Sequence, residues 1–235
     1  MAVLIACEES QVVTKAFRGM GIETYSCDIL DCSGGHPEWH IKQDVLPLLN
    51  GRCTFKTMDG VEHAIADRWE MIIAHPPCTY MSKAGARWMY PTAGNISQER
   101  LSKAMEAKEF FLKILNADCA RIAIENPRPL KVVELPKKSQ VIQPYQFGHP
   151  YSKATCLWLK GLPPLEPTEV LTEYKPYCPS NTGGAARGQS NYKGSATRVG
   201  EDCANRAKTF PGVGKAMAET WGKEILAERE KKDGK

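Results

Sequence analysis

Two short apolar runs, Ile72-Ile73-Ala74 and Ile122-Ala123-Ile124, end abruptly at breakers: His75-Pro76-Pro77-Cys78-Thr79 after the first and Glu125-Asn126-Pro127 after the second. Runs that are apolar at every position and this brief read as strands buried on both faces, which is the situation of a parallel sheet covered by helices. Such a chain is confined to an α/β architecture. The pairing would also place a thiol, Cys78, and a carboxylate, Glu125, at one edge of one sheet. In an open α/β sheet the reacting groups gather outside the carboxyl ends of the strands. A thiol can add to an electron-poor ring carbon while a carboxylic acid protonates or hydrogen-bonds a ring nitrogen, so the pair suits attack on a pyrimidine. A cysteine beside prolines is by default a buried structural thiol; its place at a strand end is what argues for chemistry.

The pattern along the chain supports the same fold class. Strand, helix and strand are predicted over Val3–Cys7, Gln11–Met20 and Glu23–Cys27, with Gly21 stopping the helix and Asp28 ending the second strand. This opens a doubly wound, mostly parallel, Rossmann-like sheet with helices on both faces. The loop 31–37 leads to a short strand, Trp39–Lys42, and Asp44 starts a helical turn. Residues 51–68 read as a small inserted hairpin, because Asp59-Gly60 is a tight-turn signal. Strand Glu70–Ala74, the polar loop Thr79–Ile96, an amphipathic helix over Ser97–Asn116 and strand Arg121–Glu125 follow. A short helix near Leu130–Glu134, strands Gln140–Gln143 and Ala154–Leu159, and a helix over Pro211–Arg229 with a frayed charged tail complete the pattern. The expected organisation is a catalytic core over 1–160, a short basic irregular region over 161–209, and a C-terminal helix over 210–235 that returns to the core.

Composition narrows the setting. A chain of 235 residues with 42% hydrophobic and 25% charged residues is sized for one α/β domain with appendages, and no apolar stretch is long enough to span a membrane. The N-terminus enters a strand with no basic leader or cleavage pattern, so a cytoplasmic protein is expected. Nine cysteines without regular spacing make no disulfide framework and are expected to be reduced. The formal charge is only +4, yet Lys175, Arg187, Lys193, Arg198, Arg206, Lys208 and Lys215 face only Glu201 and Asp202 over that stretch. Such a segment can follow a phosphate backbone or be an ordinary solvated loop.

Through Pro77-Cys78, Glu125-Asn126, the degenerate segment Gly148-His149-Pro150-Tyr151-Ser152-Lys153-Ala154-Thr155 and the C-terminal Phe210-Pro211-Gly212-Val213-Gly214-Lys215-Ala216-Met217, the chain resembles the DNA cytosine-5 methyltransferases, especially their short phage and prophage members. The resemblance implies a Rossmann-like methyltransferase sheet and an enzyme that methylates C5 of cytosine in DNA from S-adenosylmethionine. Its location would be the host cytoplasm if the chain is phage-encoded. It implies that Cys78 attacks C6, Glu125 with its neighbour Asn126 contacts N3, and Lys153 stands in for an arginine as a point charge near the base or a phosphate. Thr155 cannot replace a second arginine's planar fork. Cys78 needs thiolate character, and the target base must be flipped from a duplex or already single-stranded.

For the cofactor, the resemblance points to Cys7, Glu8, Glu9, Asp28, Asp44 and Pro76, with Asp28 on the ribose hydroxyls and Asp44 on the adenine amino group. The family's glycine-rich turn is replaced by Cys7-Glu8-Glu9-Ser10, so this loop must run differently. Glu8 and Glu9 either start a helix or supply a carboxylate for the ammonium of the methionine moiety. Thr79, Lys83, Arg87 and Trp88 are the expected substrate contacts, through phosphates and base stacking, although Trp88 can equally pack beneath its loop. The interval Lys160–Thr209 is too small for a substantial target-recognition domain, which suggests loose specificity, a short motif, a second subunit such as a homodimer partner, or a free cytosine nucleotide as substrate. A catalytically idle nucleic-acid-binding module of the same fold is the alternative in another class. Cys27, Cys32, His36 and His40 have spacings open to zinc, but without a Cys-x-x-Cys pair no metal site is expected. His75-Pro76-Pro77-Cys78 distantly resembles the Pro-Pro-aromatic loop of amino-group methyltransferases, where the thiol here favours carbon.

Overall fold

The apolar runs all enter one seven-stranded sheet. In the computed structural model, which describes residues 2–92, 95–177 and 208–233, the strands are β1 (Val3–Ala6), β2 (Thr24–Asp28), β3 (His40–Lys42), β4 (Cys53–Lys56), β5 (Glu62–Ile65), β6 (Met71–Ala74), β7 (Ile122–Pro127), β8 (Gln140–Ile142), β9 (Tyr151–Ser152), β10 (Thr155–Lys160) and β11 (Lys175–Pro176). The large sheet runs β3-β2-β1-β6-β7-β10-β8. Its first five strands are mutually parallel, and β10 runs antiparallel to both β7 and β8. The order reverses between β1 and β6, giving a mixed, mostly parallel α/β sheet of the Rossmann-like, doubly wound type.

Successive residues of each central strand face opposite layers. Leu4, Ala6, Ile72, Ala74, Ile122 and Ile124 pack under α3 (Gln98–Leu115) with its Phe111 and Ile114. Val3, Ile5, Met71, Ile73 and Ala123 pack under α1 (Val12–Arg18) and the C-terminal helix. Both faces are therefore covered, which is why alternation is absent from the sequence. Each fully buried Ile, Leu or Phe contributes roughly 1.5–3 kcal/mol of transfer free energy.

Several boundaries differ from the pattern for local reasons. Gln11 takes a left-handed φ of 56°, so α1 begins at Val12. The chain leaves α1 through Gly21, whose φ of 76° suits glycine. Ser97 caps α3, accepting from the Arg100 N–H at 3.4 Å. The polar loop after β6 is not structureless: it holds a short helix, α2 (Ala86–Met89), with Met89 buried. Strands β4 and β5 form an antiparallel hairpin turning at Gly60 (φ 88°). The C-terminal helix comprises α4 (Pro211–Met217), a π-turn at Ala218–Gly222, and α5 (Lys223–Asp233). It extends past Arg229 instead of fraying there, because Arg229 pairs with Glu70 and Glu228 with Arg121. Arg187, Lys193, Arg198, Glu201, Asp202 and Arg206 lie outside the described residues, as does most of the irregular stretch assigned to 161–209.

Candidate active site

Strands β6 and β7 are adjacent and parallel, with Ala74 level with Ile124, so the next residues, His75 and Glu125, come level at the carboxyl edge. There His75 Nδ1 lies 3.1 Å from Glu125 Oε2. The Thr209 hydroxyl donates to the same oxygen at 2.9 Å. Burial opposes ionisation of Glu125, but the His75 hydrogen bond and charge, Lys153 and Thr209 outweigh it and hold the carboxyl below its ordinary range. Burial likewise pushes His75 down, yet Glu125 and more distantly Glu8 raise it. An ion pair results. His75 Nε2 is buried with no partner among the described residues.

Cys78 follows the buried Pro76 and exposed Pro77. Its carbonyl accepts from the N–H groups of Met81 (3.1 Å) and Ser82 (2.9 Å), making a tight turn that presents the half-buried thiol. Asn126, buried, donates through Nδ2 to the Pro76 carbonyl at 2.8 Å and so ties this loop to the end of β7; its Oδ1 is buried without a partner among the described residues. Burial pushes the Cys78 thiol up, and Glu125 adds to the rise; Lys153 and the Ser82 hydroxyl pull it back only in part. Burial thus favours the neutral thiol over the thiolate at this position. Lys153 reaches toward the Phe210 and Tyr177 rings, at 5.7 and 5.9 Å, while its charge acts on Cys78, His75 and Glu125 together.

The two degenerate motif segments also meet. Gly212 N–H donates to His149 Nε2 at 2.8 Å, and a Cβ at Gly212 would stand 2.1 Å from the Phe147 carbonyl. Burial holds His149 below its ordinary pKa, consistent with a neutral ring whose Nε2 accepts. This contact fixes the chain at 209–212 and thereby Thr209.

At the carboxyl ends of β1, β2 and β3, Cys7, Asp28 and Asp44 act on one another electrostatically: burial, then Asp28, Cys27 and Asp44, push the Cys7 thiol far up. Asp28 Oδ1 accepts from Leu30 N–H at 3.0 Å, beside exposed Ile29 and Leu30, and no donor reaches Oδ2 among the described residues. Asp44 is exposed, with Oδ1 accepting from Leu46 N–H. Glu8 is buried and caps α1: Oε1 accepts from Val13 N–H at 2.7 Å and Oε2 from the Thr14 hydroxyl at 2.7 Å. Glu9 is half-buried, 3.9 Å from Lys208 Nζ.

The missing glycine turn has a structural substitute. Cys7 and Gln11 themselves take left-handed φ values of 59° and 56°. Gly34, from the loop after β2, then packs so closely that a Cβ there would meet Gln11 Cβ at 2.5 Å and the Ser10 carbonyl at 2.6 Å. Gln11 clips that loop in place, donating to the His36 carbonyl at 2.8 Å and accepting from its N–H at 3.1 Å.

Of the expected substrate contacts, Thr79, Lys83, Arg87 and Trp88 are all exposed. Trp88, 57% exposed, does not pack beneath the loop, and Arg87 stacks on it at 4.5 Å. The alternative zinc set is engaged elsewhere: Cys27 Sγ points to the Gln43 carbonyl, His40 lies between Ser26 and the Leu30 carbonyl, and His36 stacks on Trp39. No group of three or more potential metal ligands occurs among the described residues. None of their helices is long and apolar enough to cross a membrane.

His75, Thr209 and Gly34 were not singled out from the sequence. His75 was within reach, since aligning the ends of the two apolar runs already sets it beside Glu125. Thr209 and Gly34 act across distant loops and leave no local signal.

The sheet and the groups at its carboxyl edge define an α/β protein of the doubly wound type. No protein-family model and no curated protein matches the chain. Among solved structures it is similar to a candidate DNA modification methyltransferase encoded within an E. coli prophage, with 12% identity and a TM-score of 0.40 over 72% of this chain and 52% of that one. The chain thus spans about half the length of that protein. Function has to be argued from the site itself.

Proposed function

We propose that this protein is an S-adenosylmethionine-dependent methyltransferase that modifies C5 of cytosine in DNA through a covalent adduct at Cys78. The observation that carries this reading is the convergence of Cys78, Glu125 and Lys153 at one sheet edge, with the Cys78 loop held to β7 by Asn126. Few reactions call for a nucleophilic thiol, a fixed carboxylate and a cation beside an electrophilic ring; addition to a pyrimidine is one.

In the proposed reaction the Cys78 sulfur, having lost its proton, forms a bond to C6 of cytosine. Glu125, charged while its proton rests on His75, takes that proton back across their 3.1 Å contact and donates it to N3, where electron density accumulates. Lys153 lowers the cost of charge on both sulfur and ring. Addition at C6 makes C5 nucleophilic toward the methyl group that S-adenosylmethionine would supply. Once C5 carries it, loss of the C5 proton to solvent expels the Cys78 thiolate, N3 gives its proton back, and the aromatic ring is restored.

Cys7, Asp28 and Asp44 surround a suitable cofactor edge, with Asp28 Oδ2 open to ribose hydroxyls and the apolar Ile29 and Leu30 beside it. Glu8 is committed to α1, so Glu9 is the carboxylate left for the ammonium group. S-adenosylmethionine would supply an electrophilic methyl group there. Calorimetric titration tests the reading against that of an idle DNA-binding module: binding of S-adenosylmethionine, with or without DNA, is expected, and no heat under either condition would overturn the enzyme assignment.

A further inference from the structure

Lys83, Arg128, Lys131 and Lys138 converge on a groove of about 460 Å³ that has Glu134 as the one acid in its lining. Several cations elsewhere on the surface are paired with acids, as Arg52 with Asp67, Arg68 with Asp118, Lys103 with Glu99 and Lys113 with Glu109; what sets the groove apart is that four cations share one concavity with a single acid. Among the described residues none of the four groove cations has an ion-pair partner. Unmatched like charges held together oppose the folded state and are relieved by a polyanion.

The groove adjoins the candidate active site through its backbone. Lys83 N–H donates to the Arg128 carbonyl at 2.9 Å and Leu130 N–H to the Met81 carbonyl at 2.7 Å, with Ser82 and Pro129 paired between them. One wall is therefore the loop that carries Cys78, and the other is the chain leaving β7 after Glu125. The positive field of Lys138 and Arg128 reaches the Cys156 thiol, whose residue pairs with Asn126. No aromatic side chain lines the groove, so it is built for phosphates and not for stacked bases.

We propose that this groove binds the sugar–phosphate backbone of the DNA strand whose base is presented to Cys78, with Arg128, Lys131 and Lys138 clamping phosphates opposite Lys83. The assignment rests on DNA as the substrate in the proposed function. Four cations exceed what one phosphate monoester needs, which favours a polymer over a free nucleotide.

The test is fluorescence anisotropy with labelled single-stranded and duplex oligonucleotides across a salt series, comparing wild type with the Arg128→Gln/Lys131→Gln/Lys138→Gln variant. All three side chains are exposed, so the variant is expected to fold. Affinity at low salt should fall on the order of tenfold or more, and the slope of log affinity against log salt should shrink by about 0.7–0.9 for each lost phosphate contact. S-adenosylmethionine binding should be unchanged. An unchanged slope and affinity would overturn the groove assignment and leave the methyltransferase reading intact. Binding of dCMP as tight as that of the oligonucleotide, lost equally in the variant, would overturn the strand assignment in favour of a nucleotide. Binding of S-adenosylmethionine but of neither oligonucleotide would remove both the groove assignment and DNA as substrate. Variant-sensitive oligonucleotide binding without S-adenosylmethionine binding would uphold the groove and overturn the proposed reaction.

Discussion

His75 Nδ1 stands 3.1 Å from Glu125 Oε2 at the ends of two adjacent parallel strands, each side chain only 11% exposed. Neither charge would survive burial alone, so each holds the other ionised. The pair fixes the Glu125 carboxylate, with Thr209 on the same oxygen.

The pair should leave a signature in stability against pH. Glu125 is depressed, so its contribution is present above the unfolded carboxyl value and lost as pH falls through the folded one. His75 is raised, so its contribution is present below the unfolded imidazole value and lost as pH rises through the folded one. The window of full effect lies between about pH 4.3 and about pH 6.5. Urea denaturation of His75→Gln should show a deficit on the order of 3 kcal/mol there, shrinking on both sides. A deficit independent of pH would contradict the ion pair.

Cys78 is expected to react as a thiol that must first be deprotonated. Below its raised pKa the thiolate fraction, and with it the alkylation rate, should climb about tenfold per pH unit. Lys153→Met removes a charge that lowers this pKa, so alkylation at fixed pH should slow. Peptide mass spectrometry after timed iodoacetamide exposure reads both; a pH-independent rate, or a faster one in Lys153→Met, would be inconsistent with the geometry.

Asn126→Ala should cost about 1–2 kcal/mol through the lost bond to the Pro76 carbonyl. Because that bond holds the Cys78 loop and not the cofactor edge, kcat should fall while the Kd for S-adenosylmethionine stays at its wild-type value. Equal losses in both would assign Asn126 a general structural role.

At Gly34 an added methyl group would strike the Ser10 carbonyl and Gln11 at 2.5–2.6 Å, whereas at Gly19 it would meet the Lys15 and Ala16 carbonyls at 3.3 and 3.5 Å. Gly34→Ala should destabilise by roughly 1–3 kcal/mol and weaken S-adenosylmethionine binding. Gly19→Ala should do neither, by thermal denaturation and calorimetry.

The legible part of this protein lay in its strands. Fully apolar runs ended by Pro-Pro-Cys and Glu-Asn-Pro read as buried parallel strands, and both end at one sheet edge. The loops were less readable, because their interactions join residues far apart in sequence. Gly34 supplies from another loop the close approach that glycines after β1 would have made, and Thr209 meets Glu125 from a segment whose Gly212 is hydrogen-bonded to His149. Glu8 shows the limit of residue type as a guide: a carboxylate at the carboxyl end of β1 turned inward to cap a helix.

The most direct measurement is mass spectrometry of nucleosides from cells expressing the wild-type chain or Cys78→Ser. The expected result is 5-methylcytosine in DNA from cells with the wild-type chain and none above background with Cys78→Ser. Unmodified DNA from both, or equal modification by both, would contradict the assignment of Cys78 as the nucleophile of a cytosine methyltransferase.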